Sequence, residues 1–358
     1  MAIAQNETTP PRVPLSPLPL TAPEAATVLA QVTHVYSDLD GTLFAPGGRL
    51  LANDAGAPSL ATAAALVALK QAGVEVVIVT GRNRIQGNEI LRILDLHTFI
   101  GELGCVIQEG FGAHAQARYE LGDWASAVLA DGMAPGKLPA GRTPYEVIAD
   151  NGVVDRLVAA FPGKLEYHDP YADDREVTQM LRGYVDAAAV ARMLAQEELP
   201  LQLLDNGIIH PVRHNLVDCP QIHVYHLMPS GTGKAPAVAA NMAQRGLRPA
   251  QTVAIGDAIG DLAMGAHTGS LVVVRNALKS DVVAAALTAR SGLLAGECPD
   301  AAVAAKTAVA AKTAVAAKTA VAAPIFVTNG NTADGWVEFA QALLAAKGLA
   351  FEGDGTHG

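Results

Sequence analysis

Along the chain, short continuous apolar runs alternate with longer stretches rich in Ala and Leu. The runs VTHVYSD (32–38), VEVVIVT (74–80), TFIGELGCVIQ (98–108), IHVYHLM (222–228), TVAIGD (252–257) and SLVVVRN (270–276) read as strands. Helical patterns fall near 59–72, over 84–95 and over 234–245. Apolar strands that lack polar alternation are covered on both faces, so the pattern predicts a parallel sheet between helical layers. Ligands of such sheets bind beyond the carboxyl ends of the strands. Asp38, Thr80 and Asp257 each close one of these runs, and Lys234 opens the helical pattern that follows another.

The stretch 110–221 has a different texture, punctuated by Gly and Pro, and reads as an inserted α+β unit. Within it LDNGIIH (204–210) predicts a hairpin turn, because Asn-Gly favours one. The flanking segments 32–109 and 222–345 then form one discontinuous core. Prolines at 10, 11, 14, 17 and 19 predict a poorly ordered tail over 1–31. Residues 302–323 repeat the hexapeptide AAKTAV, with lysines at 306, 312 and 318. A six-residue period makes no stripe on a helix and is not the seven of a coiled coil, so the repeat reads as a surface insertion.

Composition narrows the function. Half of the 358 residues are hydrophobic, which is enough for a sizeable core, and the formal net charge is −10. An acidic balance argues against nucleic acid or an anionic membrane as the main partner. The three cysteines, Cys105, Cys219 and Cys298, are too far apart for a CxxC metal or redox motif. No uncharged run reaches the ~18 residues of a membrane helix, and no signal-peptide pattern opens the chain. A cytoplasmic location is the expectation, and the oligomeric state is not legible.

The chemistry gathers in four motifs. In HVYSDLDGTLF, Asp38 and Asp40 stand two apart, and on a strand they would share a face. Like charges that close favour a bound cation, a shared proton, or both. VTGRN sets the Thr80 hydroxyl and the backbone amides from Gly81 onward at a strand end, where they suit phosphoryl oxygens. SGTGKAP holds Lys234 in a Gly-rich setting, but Met228 and Ala235 occupy positions where a P-loop needs Gly and Ser or Thr. IGDAIGDLAMG spaces Asp257 and Asp261 four apart, either as hard-cation ligands or with Asp257 as a helix cap.

DxDGT, a strand-end Thr-Gly-Arg, a downstream Lys and GDxxxD, in that order, resemble the haloacid dehalogenase-like phosphohydrolases. A large insert between the Thr and Lys motifs resembles the Cof-type branch with a C2-type cap, near the sucrose-phosphate and mannosyl-3-phosphoglycerate phosphatases. FVTNGNTADGWVEFAQAL (326–343) resembles the segment with which that family passes back over its site. The resemblance implies a Rossmann-like three-layer α/β core with a parallel sheet and an α+β cap. It implies Asp38 as nucleophile, Asp40 as general acid and base, and Thr80, Gly81 and Lys234 as phosphate-binding groups. Mg²⁺ would be held by Asp38, the Asp40 carbonyl and Asp257, with Asp261 orienting Lys234 or the metal's surroundings. Two positions depart from the branch: Gly260 replaces the Asn of GDxxND, and ELGC (102–105) stands where ENGA is usual, which removes an amide at Leu103.

In the cap, YHDPYADDREVTQMLR offers His168, Asp169, Arg175 and Arg182 as substrate contacts, the arginines suiting a second anion. Three functions fit. The first is a Mg²⁺-dependent phosphatase of a small phosphorylated metabolite, such as a sugar phosphate. The others are a phosphosugar mutase and a non-catalytic phosphometabolite-binding protein.

Overall fold

The computed structural model describes residues 17–124, 141–295 and 323–351. The hexapeptide repeat, apart from Ala323, lies outside them, as do residues 1–16 of the proline-rich segment. In the first part of the chain, β1 (Leu18–Pro19), α1 (Pro23–Leu29) and β2 (His34–Ser37) are followed by α2 (Ala61–Gln71), β3 (Glu75–Val79), α3 (Arg84–Leu94) and β4 (Thr98–Gly101). Next come β5 (Val106–Glu109) and β6 (Gln116–Tyr119), then α4 (Pro144–Asn151), α5 (Val153–Ala160), β7 (Leu165–Tyr167), β8 (Gln179–Gly183), α6 (Ala187–Leu194) and β9 (Leu201–Ile209). The chain continues through β10 (Ile222–Pro229), α7 (Lys234–Gln244), β11 (Thr252–Gly256), α8 (Ile259–Leu262), β12 (Ser270–Val273), α9 (Asp281–Ala295), β13 (Ile325–Val327) and α10 (Thr332–Ala346).

One nine-stranded sheet runs β1-β13-β12-β11-β2-β3-β4-β5-β6. Every neighbouring pair from β1 to β4 is parallel, and β5 and β6 add an antiparallel edge. Alternate residues of each central strand enter different cores, as the two-residue strand period requires. Val35, Val76, Ile78 and Ile255 pack with Leu29, Leu69 and Phe339 on one face. Tyr36, Val77, Val79 and Ala254 pack with Val238 and Met242 of α7 on the other. This is the three-layer arrangement expected from the unbroken apolar runs.

Several boundaries differ from the sequence reading. Residues 18–29 are core, not tail: β1 pairs with β13, and Ala25 and Leu29, four apart on α1, are buried. TFIGELGCVIQ is not one strand but β4, a tight turn and β5. The turn comes from left-handed backbone at Glu102 (φ 48°) and Leu103 (φ 55°). IHVYHLM is β10 of a second sheet, ordered β7-β8-β10-β9, and not a core strand. Its apolar positions satisfy two neighbours: Tyr225 and Leu227 pack in the cap's own core, while Met228 joins Leu103 of the main domain. The cap sheet therefore extends to residue 229, and β6 belongs to the main sheet. LDNGIIH is likewise no hairpin. It lies inside β9, where the register with β10 shifts between His223 and Tyr225, so Asn-Gly forms a β-bulge.

The cap and core meet along a polar seam centred on Glu102, which is fully buried. Its carboxylate accepts the backbone amides of Glu176 (2.8 Å), Val177 (3.1 Å) and Thr178 (2.8 Å) and the Thr178 hydroxyl (3.0 Å). Arg84, the first residue of α3, adds a bidentate pair to Glu176 at 2.8 and 2.6 Å. Glu102→Gln keeps the shape but turns an amide nitrogen toward these donors. It is expected to destabilise the protein by about 2–4 kcal/mol, because buried donors are left unpaired. The urea midpoint measures this, and an unshifted midpoint would show that the seam does not depend on Glu102.

Candidate active site

Asp38, Thr80 and Asp257 each follow directly on the last residue of β2, β3 and β11, which are neighbours in the sheet. They therefore emerge side by side at the carboxyl edge. Lys234 opens α7, and its ammonium donates to Asp38 Oδ1 and Asp261 Oδ1, both at 2.7 Å. All three groups are buried. Burial alone would lower the lysine, yet Asp261 and Asp38 hold its ammonium well above the usual lysine range.

Asp261 does more than pair with Lys234. Its Oδ2 accepts the backbone amides of Asp257 (3.1 Å) and Ala258 (2.9 Å), satisfying the start of α8. The capping role considered for Asp257 thus falls to Asp261, from inside the first turn. Asp257 is left to face Asp38. Its Oδ1 accepts the Thr42 hydroxyl at 3.3 Å, and its Oδ2 accepts the Asn276 amide at 2.9 Å. Asn276 also donates to the Gly41 carbonyl (3.0 Å) and accepts the Thr332 amide (2.8 Å). Gly260 brings no side chain here, and the amide on Asp257 comes instead from Asn276, three residues past β12 in a short 3-10 turn. The sequence reading missed Thr42 and Asn276.

Gly41 is required by this proximity. It has φ 86°, and a Cβ there would lie 2.6 Å from Asp257 Oδ2. The closing segment also reaches the site: Trp336 of α10 donates to Ser37 Oγ (3.0 Å), which donates to the Asp38 carbonyl (2.7 Å).

Asp40 lies apart from the buried group, with 48% of its side chain exposed. Arg82 grips it bidentately, at 2.8 and 2.6 Å. The Thr80 hydroxyl is buried and accepts the Arg82 amide at 3.3 Å. The arginines proposed as anion clamps have other partners. Arg175 donates to the Tyr171 carbonyl (3.2 Å), Thr178 Oγ1 (2.8 Å) and the Gly81 carbonyl (2.9 Å), tying the cap to the turn after β3. Arg182 is paired with Glu166 at 2.7 Å and lines a cap cavity of about 420 Å³ with Arg213 and His214, which the catalytic acids do not border. His168 stacks on Tyr171 and lies against Arg182; burial and that cation push its ring down to about 4.

Asp38, Asp257 and Asp261 each bring a carboxylate oxygen within 4.8 Å of the others. Asp261 is less suited as a ligand, because its Oδ2 already accepts two backbone amides and its Oδ1 the Lys234 ammonium. Asp38 and Asp257 fit a hard divalent cation, since three carboxylates, Asp257 half-buried and the others buried, outnumber the one ammonium among them.

Residues 35–118 match the haloacid dehalogenase-like hydrolases. The match covers about a quarter of the chain. Among solved structures, a Thermoplasma acidophilum protein aligns with a TM-score of 0.51 at 13% identity, covering 87% of this chain and 98% of that one. A HAD/COF-like hydrolase from Plasmodium vivax aligns with a TM-score of 0.51 at 14% identity, covering 90% and 99%. The sucrose-phosphatase of Synechocystis, in complex with sucrose and phosphate, gives a TM-score of 0.48 at 14% identity, covering 86% and 96%. No curated protein matches the chain by sequence. At these identities the two likenesses with TM-scores of 0.51 show a shared fold, that of the HAD/COF-like hydrolase included. Among the described residues, no helix is long and apolar enough to cross a membrane.

The buried acids give the fold a pH signature. Burial pushes the Asp38 carboxyl up to about 8, with Lys234 opposing and Asp261 and Asp257 adding to the rise. Burial, then Asp261, pushes Asp257 up to about 7. The folded state therefore holds protons that the unfolded chain has released, and it loses stability as pH rises toward these values. The lowered histidines His168 and His226 act in the opposite sense, but only below the ordinary histidine range. Metal-free protein is thus expected to be less stable at pH 8.5 than at 6.5, by on the order of 1–2 kcal/mol. Urea titration at both values measures this, and equal stability would mean that the acids ionise without hindrance.

Proposed function

We propose that the chain is a divalent-cation-dependent phosphatase acting on a small phosphorylated metabolite, a sugar phosphate being the favoured class. The observation that carries this reading is the division of labour between Asp38 and Asp40. Asp38 is buried with one oxygen held by Lys234, while Asp40, two residues on, stays exposed beside Arg82.

In this reading Asp38 attacks phosphorus, and the bond to the leaving oxygen breaks as the aspartyl-phosphate forms. Asp40 gives its proton to the departing alkoxide. It then takes a proton from the water that attacks the same phosphorus, which frees Asp38 and releases phosphate. Two of the three ammonium protons of Lys234 are committed to Asp38 and Asp261, which leaves one for a phosphoryl oxygen. The Thr80 hydroxyl stands at the neighbouring strand end with its own proton to donate. Asp38, Asp257 and the Asp40 carbonyl would hold a divalent cation, Mg²⁺ being the expected ion, which would supply charge to neutralise the phosphoryl group. Arg82 holds the Asp40 carboxyl at the edge of the cleft.

The mutase alternative needs cap cations free to hold a second phosphoryl group. Arg175 and Arg182 already have partners in Gly81 and Glu166, which favours hydrolysis.

The test is phosphate release from hexose phosphates, phosphoglycerates and an aryl phosphate, with Mg²⁺ and with chelator. Asp38→Asn is expected to cut turnover by about 10³-fold or more, and Asp40→Asn by about 10²–10⁴-fold. Turnover that persists in Asp38→Asn would overturn the nucleophile assignment. Asn276→Ala removes the amide that orients Asp257 and is expected to raise the Mg²⁺ concentration for half-maximal activity about 10–100-fold. A Mg²⁺ titration of activity reads this, and an unchanged curve would show that Asn276 does not tune the site.

A further inference from the structure

His226 is fully buried, on the cap face that meets the core, and its Nε2 has no partner among the described residues. Its hydrogen-bonding state follows from its neighbours. The Thr178 hydroxyl carries one proton and gives it to Glu102 at 3.0 Å. The same oxygen accepts from Arg175 at 2.8 Å and lies 3.3 Å from His226 Nδ1. With its proton already committed, Thr178 can only accept from the ring, so Nδ1 carries the hydrogen and Nε2 presents a bare lone pair. Burial first, then Arg175, His168 and Lys234, work against a second proton. Lys234 in that set places the ring within electrostatic reach of the catalytic ammonium.

The lone pair points toward the phosphate-binding turn. A Cβ added to Gly81, next to Thr80, would stand 3.6 Å from His226 Nε2 and 3.0 Å from Asn206 Nδ2. Asn206, with Gly207, forms the bulge of β9 opposite Val224, and it is exposed. Leu103 Cδ2 lies 3.5 Å from the same point, and of these three neighbours Asn206 is the exposed one that can move aside. A buried acceptor without a donor is costly, and protein sites that keep one commonly complete it with a ligand.

We infer that His226 is a specificity-determining residue whose Nε2 accepts a hydrogen bond from a hydroxyl of the substrate's leaving group, entering beside Asn206. This rests on the phosphatase reading and narrows its substrate to phosphate esters of hydroxylated alcohols. A site that expects a hydroxyl rejects an analogue lacking it, because its acceptor is then left unpaired.

The experiment compares kcat/KM for glucose 6-phosphate and fructose 6-phosphate with that for 4-nitrophenyl phosphate, in the full chain and in His226→Phe. The better sugar ester is expected to lose at least about tenfold relative to the aryl ester, mainly through KM. Equal losses on both would show that His226 only supports the fold, and no change in the ratio would remove it from the subsite; either overturns the inference. Should His226→Phe fail to fold, the unmodified protein decides with deoxy analogues of the better hexose phosphate. One deoxy position costing tenfold or more supports the subsite, and uniform tolerance overturns it. Absence of all turnover, aryl ester included, would instead strike the phosphatase reading itself and take this inference with it.

Discussion

The architecture of the site depends on one buried cation. An ammonium removed from water is tolerated only where carboxylates surround it, and Lys234 has two at 2.7 Å. Each link in that network sets the next. Asp261 can hold Lys234 with one oxygen because its other oxygen is fixed by the amides at the start of α8. Those amides shape the turn that projects Asp257 toward Asp38, and Asn276 and Thr42 fix the angle of Asp257. Two ammonium bonds thus bring the ends of β2, β11 and α7 to one point. With all three acids ionised a surplus of negative charge remains there, and a divalent cation would balance it.

A second buried charge organises the approach to that point. Glu102 sits at the turn between β4 and β5, with left-handed backbone at a position where glycine is favoured. Such strain persists only where the surroundings over-determine it, and here four hydrogen bonds from residues 176–178, just before β8, do so. Leu103 beside it packs with Val177 and Met228. The cap is thereby held with Arg175 on the Gly81 carbonyl and with His226 and Asn206 over the same residue. The departure at Leu103 from the motif this stretch resembles has a physical sense: Leu103 makes an apolar contact in the seam, and Glu102 keeps the hydrogen bonding.

Much of this was legible in the sequence, because strand-end chemistry follows from local pattern. Unbroken apolar runs located the central strands, and the residue after each run gave Asp38, Thr80 and Asp257. Helix starts gave Lys234. Less legible were features that depend on which strands pair. β10 reads as a core strand because both of its faces are apolar, yet one face serves the cap and the other the seam. Asn-Gly in β9 signals a positive φ, and a bulge uses that conformation as readily as a hairpin does. Arg175 and Arg182 looked like anion clamps because sequence shows a charge without its partner. Glu102, Thr42 and Asn276 gave no periodic signal, since their roles arise from contacts with residues dozens to hundreds of positions away.

The pairing of Asp38 with Asp40 shows how such geometry decides chemistry. Had β2 continued through Asp40, the two carboxylates would share one face, repel, and contend for the same proton or cation. The strand instead ends at Ser37, fixed by the bond from Trp336 to its hydroxyl. Beyond it the chain turns, helped by Gly41, whose missing side chain admits Asp257. Asp38 turns inward to Lys234, and Asp40 turns out to Arg82. Each acid gains its own cation and its own degree of solvation, so the repulsion that would couple them is removed before any substrate arrives. A nucleophile must be held still with one oxygen available, whereas an acid–base group must exchange protons with an alcohol and with water. In the proposed mechanism, ending the strand at Ser37 lets two identical side chains meet those opposed demands.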